Sequence, residues 1–124
     1  MKRLIQSFKY ALEGLFTALR QERNMKIHTV AGVIAALCGF YFHLSVTEWL
    51  VLTLTIAGVF TAELLNTAIE RTVDLYGRDF HPLAKQAKDI AAGACFISAL
   101  ASVIVGMLIF GPKIFYMFSG LGIF

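Results

Sequence analysis

Apolar and polar residues alternate along this chain in long blocks, each with its own period. Within residues 1–24, Leu4, Ile5, Phe8, Leu12, Leu15, Phe16 and Leu19 fall within about 120° of a helical wheel, and Lys2, Gln6, Lys9, Glu13, Thr17 and Arg20 occupy the opposite side. This pattern predicts an amphipathic helix, lying flat on a membrane surface or packed against a bundle. From Thr29 to Thr47, 19 residues pass without a Lys, Arg, Asp or Glu, a length that as helix covers roughly 28 Å, about one hydrocarbon layer. Trp49 to Ala62 is a second uncharged run of 14 residues. It is too short to cross alone, so the expected helix occupies 48–75 and carries acidic residues at its end. Ile90 to Gly111 is a third run, of 22 residues, inside an expected helix 84–111. Short turns separate the runs, at His43 to Glu48 and at Tyr76 to Pro82, where Gly77 and Pro82 supply breaks. The reading is an all-α integral membrane protein: one domain over 1–124, with a surface helix and transmembrane helices at 29–47, 48–75 and 84–111.

Composition strengthens the membrane reading. Hydrophobic residues make up 58% of the chain, above the soluble norm of about 45–50%, and mean hydropathy is +0.73. Cys38 and Cys95 sit inside apolar segments without framework spacing, which argues for packing residues and against a disulfide scaffold or zinc site. The basic N-terminus leads into an amphipathic pattern and not a continuous apolar core, so a cleavable signal is not expected. Six basic residues (Lys2, Arg3, Lys9, Arg20, Arg23, Lys26) precede the first span and four (Arg71, Arg78, Lys85, Lys88) lie between the second and third. None lies between the first and second, and Lys113 follows the third. The positive-inside rule then puts the N-terminus and second loop in the cytoplasm and the C-terminus outside the cell membrane. The aromatic tail KIFYMFSGLGIF fits an outer interfacial anchor. A net charge of +3 follows from this topology and from contact with anionic membrane lipids, and nucleic acid is not an expected partner.

The candidate chemistry lies in ELLNTAIERTVD, residues 63–74. Glu63, Asn66, Glu70 and Asp74 advance by three, four and four residues and share one helix face within about 80°. A carboxylate within a membrane helix costs roughly 2.5–3.5 kcal/mol on insertion scales, so Glu63, the deepest, needs a partner, a proton or a wet cavity. Glu22, His28, Lys88 and Asp89 fall at the same depth. Carboxylates gathered in one pocket repel unless a cation sits among them, and hard oxygen donors favour Mg²⁺. With a lysine to meet an anionic substrate, these are parts for phosphoryl transfer. No Gly-rich phosphate loop accompanies them. GMLIFGPK (106–113) has Pro where the lysine of such a loop belongs, and it lies on the other side of the membrane. Two other classes compete: a small channel or transporter using His43 and the carboxylates, and a non-catalytic membrane subunit. A conducting path needs polar groups through the full thickness, and Thr53, Thr55 and Ser98 are few for that purpose.

ELLNTAIERTVD followed by AKDIAAGA (87–94) resembles the signature of the prokaryotic diacylglycerol kinase family, and the likeness runs from the surface helix to the end of the third span. HPLAKQAKD (81–89) and ERNMKIH (22–28) resemble the Gram-positive branch, whose members phosphorylate undecaprenol; diacylglycerol is the alternative acceptor. At His28 the chain departs from the diacylglycerol-specific branch, which carries a carboxylate there. The resemblance implies that Glu63 is the general base for the lipid hydroxyl and that Glu22 and Glu70 are the Mg²⁺ carboxylates holding ATP. It implies that Asn66 and Asp74 support that site, that Lys88 contacts the ATP phosphates with Asp89 beside the nucleotide, and that Arg3 and Tyr10 lie near the adenine. It further implies a homotrimer with composite sites. The stripe Ala87, Ala91, Ala94, Ser98 and Ser102 permits close helix approach between subunits or within one.

Overall fold

The computed structural model describes residues 1–77 and 81–120; Arg78 and the last four residues of the aromatic tail lie outside the described residues. Four helices follow in chain order: α1 (Lys2–Gln21), α2 (Arg23–Tyr41), α3 (Val46–Asp74) and α4 (Pro82–Gly120). There is no strand among the described residues. Helices α3 and α4 are each long and apolar enough to cross a membrane.

Helices α1 and α2 meet at a single residue, Glu22, whose extended backbone (φ −92°, ψ 124°) interrupts the helical path. No glycine or proline makes this corner. It is held from across the fold by Arg71 of α3, whose Nη2 donates to Gln21 Oε1 at 2.8 Å and to Glu22 Oε1 at 3.1 Å. Beneath it, Ala18 and Met25 are buried. Leu4, Ile5, Phe8, Leu12 and Phe16 stay more than half exposed along α1, the free apolar face expected of a surface helix.

Helix α2 ends at Tyr41, six residues before the expected limit at Thr47, and begins at Arg23. The reason is local hydrogen bonding. Leu44 N–H donates to Gly39 O (3.1 Å) and His43 N–H to Phe40 O (3.2 Å), the pair of bonds of a Schellman cap. Here His43, at φ 51°, takes the left-handed position usually given to glycine. Ser45 then opens α3 with a reciprocal capping box: Glu48 N–H donates to Ser45 Oγ, and Ser45 N–H donates to Glu48 Oε2 at 2.7 Å.

At this hairpin end, Trp49 lies over Gly39 and its ring stands 4.8 Å from that of Phe40. Leu44, Leu52 and Ile109 form the buried apolar cluster, and Glu48 Oε1 pairs with Lys113 Nζ of α4 at 2.9 Å. Helix α4 runs on through Pro112 to Gly120, past the expected end at Gly111. Proline removes one donor from the ladder, which a membrane helix tolerates, and Lys113 is pinned to α3 immediately after it.

Helix α4 packs along the length of α3; α2 packs on α3 more lightly, and α2 and α4 hardly touch. The small-residue stripe serves this packing within one chain. Ala91 is buried, Ala87, Ser98 and Ser102 are half-buried, and Ala94 turns outward.

Candidate active site

Helix α3 keeps its helical register through the acidic stripe, so Glu63, Asn66 and Glu70 come to line one polar pocket of about 360 Å³, closed by Asn24 and His28 of α2 and by Cys95 of α4. Glu63 is the most enclosed of the carboxylates, with its side chain 5% exposed. Its partner is His28, whose Nε2 lies 3.2 Å from Glu63 Oε1. A carboxylate can only accept, so the imidazole presents Nε2–H to it. A buried carboxylate without such a donor would carry its full desolvation cost, which identifies His28 as what makes Glu63 tolerable at this depth.

One turn along the helix, Asn66 Nδ2 donates to Glu70 Oε1 at 3.0 Å. Asn66 Oδ1 is buried and has no partner among the described residues, and the residue lines the pocket. Such an orphan acceptor is suited to a donor or a cation supplied by a ligand. Further out, Asp74 Oδ1 holds Lys88 Nζ at 2.5 Å, and Asp89 is held by Lys85 at 2.5 Å.

The sequence-predicted residues thus fall into three groups. Glu63, Asn66 and Glu70 share the pocket. Asp74 and Lys88 form an exposed pair that ties α4 to the end of α3, with Asp89 one residue along. Glu22, Arg3 and Tyr10 do not line the pocket. Glu22 faces Arg71 at the α1–α2 corner, and Tyr10 is 60% exposed, its hydroxyl accepting from Gln6 Nε2. His28 as the partner of Glu63 was not read from the sequence, where its depth and its departure from the diacylglycerol-specific pattern marked it. Cys95, taken for a packing residue, borders the pocket.

No group of three or more His, Cys, Asp or Glu converges as a ready cation cage among the described residues. Mg²⁺ does not require one: it is commonly held by one or two carboxylates, with substrate phosphates and waters completing the shell. A half-buried glutamate beside an unpartnered amide oxygen fits that demand.

A second cavity, of about 470 Å³ and almost wholly apolar, runs between α2 and α4 over α3. His28 borders both cavities. His28 thus stands between the polar pocket, where it meets the buried Glu63, and the apolar cavity.

The comparisons with known proteins name the class more closely. A family model described as prokaryotic diacylglycerol kinase matches residues 9–110. The chain is 48% identical over 114 residues to the undecaprenol kinase of Bacillus subtilis (strain 168), covering 92% of this chain and 93% of that enzyme. It is 45% identical to a diacylglycerol kinase of Synechocystis sp., covering 90% of this chain and 64% of that protein. Against the diacylglycerol kinase of Escherichia coli (strain K12) it is 29% identical, with 82% and 84% covered. The chain belongs to the prokaryotic diacylglycerol kinase family. It is therefore a lipid kinase, a phosphotransferase with ATP as co-substrate and a lipid alcohol as acceptor.

Proposed function

We propose that this protein transfers the γ-phosphate of ATP to the hydroxyl of undecaprenol, giving undecaprenyl phosphate and ADP. The observation that carries the reading is Glu63, enclosed in the polar pocket with His28 Nε2 3.2 Å from its carboxylate, His28 itself also bordering the apolar groove. The 48% identity to the Bacillus subtilis undecaprenol kinase supports the choice of acceptor.

In the reaction Glu63 accepts the proton of the lipid hydroxyl as its oxygen bonds to the γ-phosphorus and the bond from that phosphorus to the ADP oxygen breaks. His28 holds the carboxylate in place with its other oxygen turned to the alcohol. A general base of this kind contributes about 10²–10⁴ in rate. Mg²⁺ bound with the nucleotide would offset charge on the phosphates; Glu70 and Glu22 would hold it, beside Asn66 Oδ1. Lys88, released from Asp74, would meet the phosphates, with Asp89 at the nucleotide and Arg3 and Tyr10 toward the adenine. In this reading the chain is one domain with α2, α3 and α4 all crossing the cell membrane, N-terminus and active site cytoplasmic and C-terminus outside. It works as a homotrimer with shared sites, which would bring the exposed residues of α1 to a neighbour's pocket.

The diacylglycerol kinases among the relatives make diacylglycerol the second acceptor to consider, with phosphatidic acid as product. Phosphate transfer from labelled Mg-ATP to undecaprenol and to diacylglycerol, side by side at equal mole fraction, tests the choice. Preference for undecaprenol is expected. Preference for diacylglycerol would replace the acceptor, and transfer to neither by folded, ATP-binding protein would refute the proposal.

A further inference from the structure

Glu22 alone separates α1 from α2, and as the N-cap of α2 it makes no side-chain bond to that helix's own N–H groups. Its carboxylate is used instead by Arg71, across the fold on α3. Nη2 of Arg71 carries two hydrogens and both are engaged, one on Gln21 Oε1 at 2.8 Å and the other on Glu22 Oε1 at 3.1 Å. Glu22 Oε2 accepts no hydrogen bond among the described residues. The pair is partly exposed, with side chains 47% and 32% accessible for Arg71 and Glu22, and an ion pair in such a setting adds little to stability. What it fixes is direction. Helix α1 otherwise packs on α3 only lightly, and Arg71 grips both the last residue of α1 and the corner itself. Arg71 also follows Glu70 in the chain, and successive residues on a helix diverge by about 100°. One turn of α3 therefore presents Glu70 to the polar pocket and holds the α1–α2 corner beside it.

We propose that Arg71 is a positioning residue for the cation that accompanies the nucleotide. By holding Glu22 Oε1 it leaves Oε2 presented, and it ties to α3 the carboxylate that comes from another part of the chain. The inference rests on the reading of Glu22 and Glu70 as the carboxylates that hold Mg²⁺. Arg71 touches neither cation nor nucleotide; it acts through Glu22, as the outer partners of metal ligands do. Charge alone predicts the opposite sign. Removing a guanidinium from beside a carboxylate makes the local potential more negative and should tighten a cation, whereas loss of positioning loosens it.

Arg71→Met, which keeps an apolar stem and loses both donated bonds, decides between the two. Binding of Mn²⁺ by the whole chain in detergent, followed by electron paramagnetic resonance with a non-hydrolysable ATP analogue present, is expected to weaken about tenfold. Arg71→Lys, which keeps the charge and a donor without the planar fork, is expected to recover part of that loss. KM for Mg-ATP should rise in parallel, with KM for undecaprenol unchanged. Before any metal is added, exchange of the Glu22 amide hydrogen should be faster in Arg71→Met, because the corner has lost its tie. Unchanged or tighter Mn²⁺ binding by Arg71→Met would overturn the proposal, and so would a lysine variant no better than the methionine one. Glu22→Gln tests the underlying reading separately. Wild-type Mn²⁺ binding by Glu22→Gln would remove Glu22 from the cation site, whereas weak binding by Glu22→Gln beside wild-type binding by Arg71→Met would strike the positioning role alone.

Discussion

The two ends of the α2–α3–α4 bundle are built on opposite principles. At the hairpin end the backbone and the charged side chains are bonded locally: the Schellman cap through His43, the Ser45–Glu48 box, and the Glu48–Lys113 pair, set around Trp49 and the Leu44, Leu52 and Ile109 cluster. At the acidic end Glu63 leans on one histidine, Asn66 Oδ1 has no partner, and the remaining ion pairs are mostly exposed. Exposed pairs contribute at most about 1 kcal/mol each. The hairpin end is therefore the more fully bonded of the two, and the acidic end keeps one buried acceptor free among the described residues.

Substitutions can break this division. The largest effect is expected from Glu63→Gln, which keeps size and hydrogen bonding while removing the base. Turnover should fall by about 10²–10⁴, with thermal unfolding in detergent unchanged; near wild-type phosphorylation would remove Glu63 from the mechanism. Gly39→Ala attacks the other end. A Cβ there would lie 2.8 Å from the Trp49 ring and 3.1 Å from Leu44, and such overpacking costs about 1–3 kcal/mol. The denaturation midpoint should drop while kcat at low temperature holds. Ser45→Ala removes the side-chain half of the capping box, with an expected loss of about 1 kcal/mol read by the same unfolding assay. The smallest effect is expected from Lys113→Met, which breaks the pair with Glu48 for about 0.2–1 kcal/mol and should leave KM for both substrates unchanged. A change in KM from any of the three hairpin-end variants would show that the two ends are energetically coupled.

The acidic end was the more legible in sequence. A carboxylate stripe on an apolar helix is conspicuous because its cost demands a use, and Glu63, Asn66 and Glu70 do share a pocket. What spacing could not supply was the partner across helices: His28 is 35 residues from Glu63, and only the packing of α2 on α3 brings them together. At the hairpin end the limits of the helices were misjudged. Absence of charge marks where lipid can be, whereas the end of α2 is set by backbone bonds around a histidine in a conformation that glycine ordinarily signals. At the other end of α4 the uncharged run again misjudged the limit, because the helix continues through Pro112 and the charged Lys113. The groove was invisible because it is made by two helices failing to touch.

The exposure of the apolar side chains along α4 bears on inheritance. Leu100, Val103, Met107 and Leu108 of α4 are each more than half exposed, and no neighbouring side chain in the fold dictates their shape. Against hydrocarbon tails one apolar residue serves nearly as well as another, so substitutions on such a face cost the fold little. A relative can then share 29% of its residues over 82% of the chain and still belong to the same lineage of enzymes.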